Sequence, residues 1–537
     1  MPGGADAQAV VPVPAAAIAL PPAVNPDRIN AEERRRLEQR LAPLPERTGP
    51  LVAPPPPPPA AAAAADASAV RFTLTAVTFD PSRYLTPSEL DALARPLIGT
   101  SVAVADLNAL VERVNDLYAA RRLVTARAVL PVQDIKNGVV AIRLIEGKVG
   151  RVGAEGGSRR SRAHVDDRIG IVAGDPADPH DLELELRRFN LQNDVQLRAR
   201  LASGDAFGTT DVALDVTEPH RLGLDAFVDN NGFASTGTLQ GGGVLRAYRL
   251  LTRADRATAG VVASRGVLSE SLGYSVPIGP VVRVGIAGSH GTTALTTAAP
   301  ASLDIRGEST SASVDLVALL VVTSRLAVTA GANAAFTRSN TDIAGQRVID
   351  NAEVTGGGSG AVNFSAPGVA LALTTDVSVA RVRERISGTQ RMPLLWRGSF
   401  AAATAIGTTG SQVRLRGDWQ YSPSQDLPGL IQYQIGGARS TRAFGPGVAA
   451  GDRGFSVSAE AAHSFSTGGA TIEPFVFVDH AQASTSTTRV ALQSAGAGIT
   501  LQLGPVLAVR AHYAHGIGHH GLPDTASRGF GSLSFRF

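Results

Sequence analysis

The sequence contains no cysteine, few aromatic residues and little charge for its length. Of 537 residues, 18% are charged and 5% are aromatic, whereas soluble domains carry roughly 25% charged residues. The absence of cysteine excludes a disulfide scaffold, a thiolate zinc site and a cysteine nucleophile. A formal net charge of +3 gives no strong attraction to nucleic acid, so we expect no nucleic-acid partner.

Long hydrophobic runs are also missing. A membrane-spanning helix needs about 20 mainly apolar residues, but the best run, Leu316 to Val322, is bracketed by Asp315 and Arg325. The mean hydropathy of +0.07 is nevertheless compatible with a membrane protein. Because a closed barrel dilutes its apolar face by alternation, a β-barrel is the remaining way across a bilayer.

The N-terminal region divides into three predicted segments. Residues 1–24 are mainly Ala, Val and Pro, lack the basic start of a secretory signal and are predicted to be disordered. Residues 25–42 form a helix too polar to bury a wide apolar face, which indicates either a solvated tail or a helix held in a wet cavity. Residues 43–69 are a Pro/Ala-rich linker, and Pro54 to Pro59 favour an extended polyproline spacer, so the helix is expected to be tethered to the next domain rather than packed on it.

Two small α+β modules are predicted next, at residues 70–147 and 148–219. In the first, the order is β-α-α-β-β, and Thr86 and Glu89 form a capping-box pattern at the start of a helix. The second module repeats this order more weakly. Repeated modules with exposed sheet edges typically bind partner strands, and the alternative is a pair of structural spacers.

Alternation with a period of two dominates residues 220–537. Between Gln412 and Tyr421, the residues Val413, Leu415 and Trp419 share one face, and charged or amide side chains share the other. In a membrane barrel the apolar face points to lipid and the charged face to a wet lumen, whereas in a soluble sandwich the apolar face would form the core. At about 20 residues per strand and connection, this region predicts about 16 antiparallel strands of an all-β transmembrane barrel.

The end of the chain and two internal stretches carry the most specific signals. The last strand ends with Phe535 and Phe537, which fits the C-terminal signal of an outer-membrane barrel. A loop rich in Gly and Pro carries Arg442 beside an aromatic residue. A later strand carries a single carboxylate, Asp479, which by parity shares the lumen face with Phe477 and therefore needs a cation.

Sequence motifs of an enzyme are missing. Neither a Gly-x-Ser-x-Gly nor a phosphate-binding Gly-x-x-x-x-Gly-Lys motif occurs. His512, His515, His519 and His520 cluster near the last turn, and their Gly- and Ala-rich surroundings favour a surface loop over a metal site. The sequence therefore predicts no enzyme activity, no cofactor and no metal.

From about residue 25 onward, the chain resembles a two-partner secretion translocator, a member of the TpsB family of haemolysin and filamentous-haemagglutinin secretion/activation proteins. The resemblance rests on two barrel motifs. The family's Val-Arg-Gly-Tyr loop motif aligns with Thr441, Arg442, Ala443 and Phe444, and its Phe-x-Asp-x-Gly strand motif aligns with Phe477, Asp479 and Ala481. Thr441, Ala443 and Ala481 differ from the family pattern, whereas the charged Arg and Asp are kept.

The resemblance implies a specific architecture. Residues 25–42 would be a plug helix, residues 70–147 and 148–219 two POTRA modules, and residues 220–537 a barrel in the bacterial outer membrane. The POTRA modules would lie in the periplasm. Arg442 of the loop would pair with Asp479 on the inner wall and hold a gate.

The resemblance also implies a function. The POTRA modules would capture an unfolded TpsA-type exoprotein, and the barrel would secrete it, with activation of a haemolysin or adhesin as a further role. Outer-membrane lipid and the barrel assembly machinery are the other expected partners. The alternatives are an outer-membrane protein insertase with the same loop logic, a passive porin, a barrel-anchored enzyme and a soluble polysaccharide-binding sandwich.

Overall fold

The computed structural model describes residues 20–41, 51–53, 71–296, 304–407, 410–522 and 526–537. The six-proline run, most of the predicted linker and residues 1–19 of the predicted disordered segment lie outside these ranges. The chain forms two units, one containing the N-terminal helix and the barrel, the other formed mainly by residues 45–219.

The described chain begins with a 3-10 turn, Pro22–Val24, followed by helix α1, Pro26–Leu41. Aspartate follows proline in the first turn and arginine occupies the last turn, as the helix dipole favours. Among the described helices, none combines the length and the apolar character needed to cross a membrane.

The unit formed mainly by residues 45–219 contains the β-α-α-β-β order in its second half, and in its first half the same order with a two-residue strand between the helices. Its elements are β1 (Val52–Ala53), β2 (Phe72–Thr73), β3 (Ala76–Phe79), α2 (Pro87–Ala94), β4 (Ser101–Val102), α3 (Val104–Ala120), β5 (Ala126–Val129), β6 (Val139–Glu146), β7 (Lys148–Gly156), α4 (Arg159–Asp166), α5 (Pro179–Gln192), β8 (Gln196–Ser203) and β9 (Thr209–Thr217). Strands β3, β6 and β5 form one sheet, and β1, β8, β9 and β7 form another.

The predicted capping box at the start of α2 is present. The Thr86 hydroxyl accepts a hydrogen bond from the Glu89 backbone N at 3.4 Å, and Glu89 Oε2 accepts one from the Thr86 backbone N at 2.9 Å. The Thr86 hydroxyl also donates to Glu89 Oε2 at 2.9 Å, and the backbone and side-chain hydrogen bonds that Thr86 donates to this carboxylate, together with one from Arg121, lower the pKa of Glu89 to about 2. The local sequence alone therefore specifies this helix start.

One strand of this unit differs from the sequence expectation. The alternation from Arg71 to Val77 predicts one strand, but the structure divides it into β2 and β3. The Leu74 backbone N donates to Thr100 O, whereas the backbone N of the next residue, Thr75, donates to Gly138 O. The chain thus changes partners at Leu74, whose side chain is fully buried.

The linker also contributes to the fold. Strand β1 pairs in parallel with β8, with Val52 opposite Ala199, and the Ala199 backbone N donates to Leu51 O at 2.8 Å. Leu51 and Val52 pack against the core of the second module. This part of the linker is therefore packed rather than only a tether, because its two apolar residues cover an exposed sheet edge.

The barrel is a closed antiparallel sheet. Its strands are β10 (Leu222–Asp229), β11 (Gln240–Tyr248), β12 (Arg256–Ser264), β13 (Val267–Ile278), β14 (Val282–Ala294), β15 (Ile305–Val322), β16 (Leu326–Ile343), β17 (Gln346–Ala366), β18 (Val369–Glu384), β19 (Gln390–Arg391), β20 (Leu394–Ile406), β21 (Ser411–Tyr421), β24 (Arg453–His463), β25 (Phe465–Thr467), β26 (Ala470–Ser484), β27 (Arg489–Leu503), β28 (Leu507–His520) and β29 (Ser527–Arg536). A separate hairpin, β22 (Tyr433–Ile435) and β23 (Ala449–Gly451), lies between β21 and β24.

These segments make sixteen spans in the described residues, because β19 continues into β20 and β24 continues into β25. Strand β10 pairs with β29 over five residues and closes the barrel. The predicted fold class, α+β modules followed by a barrel of about 16 antiparallel strands, is confirmed. We call the end at which β10 begins and β29 finishes the inner end, and the opposite end the outer end.

Side chains alternate across the barrel wall as predicted. On β26, Phe475, Phe477 and Asp479 are buried, whereas Val476 and Val478 are 57% and 54% exposed on the outer surface. An outward apolar face and an inward polar face are the pattern of a barrel in lipid, not of a soluble sandwich whose apolar face is buried.

Candidate gating site in the barrel lumen

Residues 422–452, which we call the lumen loop, connect β21 to β24 and fold back into the barrel. Gly436 has φ +99°, and a Cβ there would lie 2.1 Å from the Gly445 carbonyl oxygen. Glycine is therefore required for the two arms of the loop to approach this closely. The arms lead to a tight turn in which the Phe444 backbone N donates to Thr441 O at 3.1 Å.

This turn presents Arg442, which is 2% exposed, to the lumen wall. Its backbone N donates to Asp479 Oδ2 at 3.1 Å. Its guanidinium donates to Glu460 Oε2 at 3.0 Å and to Ser458 Oγ at 2.6 Å. It lies 3.3 Å from Asp479 Oδ1, an ionic contact without hydrogen-bond alignment, and 3.6 Å above the Phe477 ring.

Strand register explains why these groups meet. Ser458 of β24 lies opposite Asp479 of β26, and Asp479 lies opposite Ser494 of β27. Ser494 Oγ donates to Asp479 Oδ2 at 2.8 Å. Three neighbouring strands therefore build a fixed polar cradle for Arg442, and its contacts with two carboxylates are charge-assisted.

Glu460 is the part of this site that the sequence interpretation missed. It also accepts hydrogen bonds from Arg414 at 3.1 Å and from Arg510 at 2.8 Å, so three arginines converge on one carboxylate. Arg414 in turn contacts Glu473 at 2.7 Å. The period-two alternation of Ser456, Ser458 and Glu460 was the available signal, because it places all three in the lumen.

The remaining motif residues support Arg442 by packing. Ala443 and Phe444 of the loop and Phe477 and Ala481 of β26 belong to one buried apolar cluster, and Thr441 is fully buried. Neither Ala443 nor Ala481 lies at a positive φ. Alanine in place of the family glycine therefore imposes no backbone strain at these two positions.

Helix α1 lies in the lumen and contacts the barrel wall through neutral polar groups. Asp27 accepts hydrogen bonds from Thr341 at 3.3 Å and from Asn351 at 3.1 Å. Thr293 donates to Asn30 Oδ1 at 2.6 Å. These wall residues lie near the outer ends of β14, β16 and β17, so the helix begins near the outer end of the barrel.

The last turns of α1 are held by an ion pair and an apolar contact. Arg40 Nη2 lies 3.1 Å from Asp229 Oδ2, and Leu37 packs against Phe227, Val244 and Val262. Towards its first turn the helix also touches the lumen loop, because Gln434 Nε2 donates to the Arg28 backbone O at 2.8 Å. The two lumen segments therefore contact each other as well as the wall.

The C-terminal residues complete the barrel closure. Phe535 lies opposite Ala226 of β10 and Leu507 of β28. The Phe537 backbone exchanges hydrogen bonds of 2.8 and 3.0 Å with Leu224, while its side chain is 68% exposed. Both aromatic residues thus lie at the strand pair that closes the sheet.

The placement of the histidines differs from the sequence expectation. His512, His515, His519 and His520 lie on strand β28 rather than in a surface loop, and His512 is buried against Phe477 and Phe530. The period-two pattern of β28 runs through His512 and His515, and a register shift at Ile517 interrupts it before His519 and His520. Within the described ranges, no group of three or more metal-ligating side chains occurs.

A closed sixteen-stranded barrel that holds an N-terminal helix and a loop arginine in its lumen, preceded by α+β modules, defines a class of membrane β-barrel proteins. The family of haemolysin secretion/activation proteins ShlB/FhaC/HecB matches residues 208–503, more than half of the chain, and the ShlB-type POTRA domain matches residues 72–147. The chain belongs to this family. The barrel accordingly lies in the bacterial outer membrane and the POTRA domain in the periplasm.

Curated relatives and solved structures agree with this assignment. The outer membrane transporter CdiB of Escherichia coli is 28% identical over 184 residues, which are 34% of this chain and 31% of that protein. The heme/hemopexin transporter protein HuxB of Haemophilus influenzae is 28% identical over 153 residues, 28% of this chain and 27% of that protein. The matched segments thus span about a third or less of these relatives.

Similarity to solved structures covers nearly the whole chain and shows the fold. CdiB from Escherichia coli has a TM-score of 0.69 at 19% identity and covers 95% of this chain and 98% of that one. CdiB from Acinetobacter baumannii has a TM-score of 0.62 at 15% identity, with 95% and 97% coverage.

Proposed function

We propose that this protein captures an unfolded exoprotein in the periplasm and secretes it through the barrel, in two-partner (type V) secretion. The observation that carries the proposal is the filled lumen: α1 and the lumen loop occupy the pore, and each is held by contacts that can be exchanged. The relatives' names, outer membrane transporter and heme/hemopexin transporter protein, support transport as the activity.

In this proposal the lumen loop and α1 are two closures of one pore. Arg442, held by Asp479 and Glu460, fixes the loop against the wall. Residues 25–42 act as the plug, and the linker from residue 43 to 69 lets the plug leave. An ordinary lumen charge pair that only fixes strand register would be the alternative role for Arg442.

Capture of the exoprotein is proposed for the two POTRA modules, residues 70–147 and 148–219. The edge of strand β8 already accepts a parallel strand, because β1 of the linker pairs with it. An extended segment of the exoprotein fits the same edge by strand addition. Since β1 and α1 belong to one continuous N-terminal segment, displacement of β1 would also give the plug more freedom.

Other roles are less well supported. One relative in fold, BamA from Haemophilus ducreyi lacking POTRA domains 1–3, has a TM-score of 0.50 at 12% identity, which shows only the fold. A passive porin has no use for a lumen filled by two segments. The proposal includes two further partners. Outer-membrane lipid would contact the exposed apolar wall, and the barrel assembly machinery would insert the barrel through the strand that contains Phe535 and Phe537.

Coexpression with an exoprotein encoded beside its gene tests this function. We expect the exoprotein in the culture medium when the translocator is present, and in the cells when it is absent. A matched strain producing the Arg442→Ala protein should carry an inserted barrel but leave the medium empty. Equal amounts of exoprotein in the medium with and without the translocator would contradict the proposal.

A further inference from the structure

A cavity of about 370 Å³ lies in the lumen, in the inner half of the barrel. Its walls include Arg414, Arg416, Arg510 and two aromatic residues, Phe227 and Phe530. Arg40 of α1 and Arg442 of the lumen loop border it as well. The cavity therefore lies directly against both segments that fill the pore.

The cavity extends towards the inner end of the barrel. Arg414 and Arg510 are three residues from the inner ends of β21 and β28, and Ser534 is two residues from the inner end of β29. The inner end is where the barrel joins the preceding periplasmic modules in sequence. A chain that enters at the inner end therefore meets this cavity, whose lining includes Arg442 of the loop turn.

Positive charge exceeds negative charge around the cavity. Its lining contains five arginines (Arg40, Arg414, Arg416, Arg442 and Arg510) but two carboxylates, Asp229 and Glu460. Glu473 and Asp479, just outside the lining, bind Arg414 and Arg442. Four of the five arginines therefore have a carboxylate partner.

Arg416 is the exception. Its guanidinium donates to the Ala438 carbonyl oxygen at 3.3 Å, and within the described residues no carboxylate oxygen lies within 4 Å of it. His512, also in the lining, is 7% exposed, and neither of its ring nitrogens has a hydrogen-bond partner in the described part of the chain. An unsatisfied imidazole next to a guanidinium without a carboxylate partner, both in a confined space, indicates room for an anionic ligand.

We propose that this cavity binds a carboxylate side chain of the entering exoprotein, with Arg416 and Arg510 as the binding residues. Arg510 can turn from Glu460 to the ligand, because Glu460 would still be paired with Arg414 and Arg442. Phe227 and Phe530 offer apolar contact to the carbon atoms of the segment. The inference rests on the proposed secretion function and adds the substrate class, an acidic stretch of an unfolded polypeptide.

Binding of a dye-labelled ten-residue peptide to the full-length protein in detergent tests the site, with fluorescence anisotropy as the readout. A peptide alternating Glu and Ser should bind more tightly than the same peptide with Gln or Lys in place of Glu. Arg416→Gln and Arg510→Gln should each weaken binding at least about tenfold, the loss expected for one charge-assisted hydrogen bond. Affinity should also fall as salt is added.

Two controls keep this test decisive. Arg416→Lys retains the charge and should bind more tightly than Arg416→Gln, and both proteins are checked for the heat-dependent gel shift of a folded barrel. Arg306→Gln removes a positive charge near the outer end, where Arg306 pairs with Asp304, and should leave affinity unchanged. Equal affinity for the Glu and Gln peptides, or unchanged affinity in Arg416→Gln, would overturn the carboxylate site.

Secretion measured in parallel separates the two proposals. If the unmodified protein exports its exoprotein but shows no Arg416-dependent peptide binding, the cavity proposal is wrong and the secretion function stands. If Arg416-dependent binding occurs without any export, the site stands and the proposed function is wrong.

Discussion

Helix α1 and the lumen loop fill the same pore but are held there in different ways. Among the described residues, charged side chains of α1 mainly contact neutral groups of the barrel, as Asp27 does with Thr341 and Asn351. Its ion pair to the wall uses Arg40, whose side chain is 38% exposed. The lumen loop instead inserts a fully buried guanidinium between two carboxylates.

The difference predicts an order of release. A hydrogen bond between a charged and a neutral group contributes about 1.5–3 kcal/mol, and the neutral partner is readily exchanged for water. Removing one partner from a buried charge network costs about 3–5 kcal/mol, because the remaining charges lose their compensation. We therefore expect α1 to leave the lumen before the loop moves.

The largest expected effect comes from Arg442→Ala, which removes the guanidinium that holds the lumen loop against Asp479 and Glu460. Asp479 and Glu460 then lose a buried cation, so the loop should lose its fixed position and secretion should fall to background. Exoprotein in the medium is the measurement. Arg439→Ala, which removes a loop arginine without a carboxylate within 4 Å in the described residues, is the matched control and should have a smaller effect. Normal secretion by the Arg442→Ala protein would show that Arg442 is not needed to hold the lumen loop for secretion.

Deletion of residues 1–45 should have the next largest effect. It should change the single-channel conductance and leave the lumen loop in its position. Without α1 the lumen loses one of its two occupants, and single-channel conductance in planar bilayers should rise several-fold. Deletion of residues 1–19, which leaves α1 in place, should not change conductance. If both deletions behave like the full chain, α1 is not a plug.

Holding the linker strand β1 on β8 tests whether β1 must leave the sheet edge during secretion. The chain has no cysteine, so Val52→Cys with Ala199→Cys introduces a single pair at positions that lie opposite each other in β1 and β8. Oxidation should hold β1 on the sheet edge and reduce secretion strongly, and a reductant should restore it. Each single variant serves as the control. Full secretion by the oxidised pair would show that β1 need not leave.

The smallest effect is expected from Leu37→Ala. Leu37 is 1% exposed, and truncation of a buried leucine costs about 2–5 kcal/mol. Docking of α1 should weaken, and conductance should lie between those of the full chain and the 1–45 deletion. Glu38→Ala changes the neighbouring side chain, which is 60% exposed, and should have little effect. Equal conductance of the two variants would mean that the apolar contact does not hold α1.

Sequence patterns predicted the parts of the site that depend on strand geometry. Because side chains alternate, Asp479 could be placed in the lumen from β26 alone. The position of Arg442 depends on how a 31-residue loop (422–452) folds, and only the family resemblance connected it to Asp479. Glu460 was missed because a single acidic residue on a strand does not reveal which cations reach it.

Other features were not accessible to pattern analysis for a different reason. Strand β1 is only two residues long, so it carries no periodicity, and its existence depends on the free edge of β8. His512 was misplaced because Gly- and Ala-rich surroundings suggest a loop, whereas in a barrel small residues make room for bulky neighbours. Tertiary packing decides both cases.

The first turn of α1 packs closely against the barrel wall at Gly307. A Cβ on Gly307 would lie 2.2 Å from Pro26 Cβ, so the proline occupies space that any other residue at this wall position would fill. This contact between Pro26 and Gly307 fixes the position of the helix along its axis and its rotation about that axis. The helix cannot slide by a fraction of a turn while Pro26 packs against Gly307. In the proposed mechanism, withdrawal of α1 would therefore be a discrete event, and single-channel records should step between two levels rather than drift.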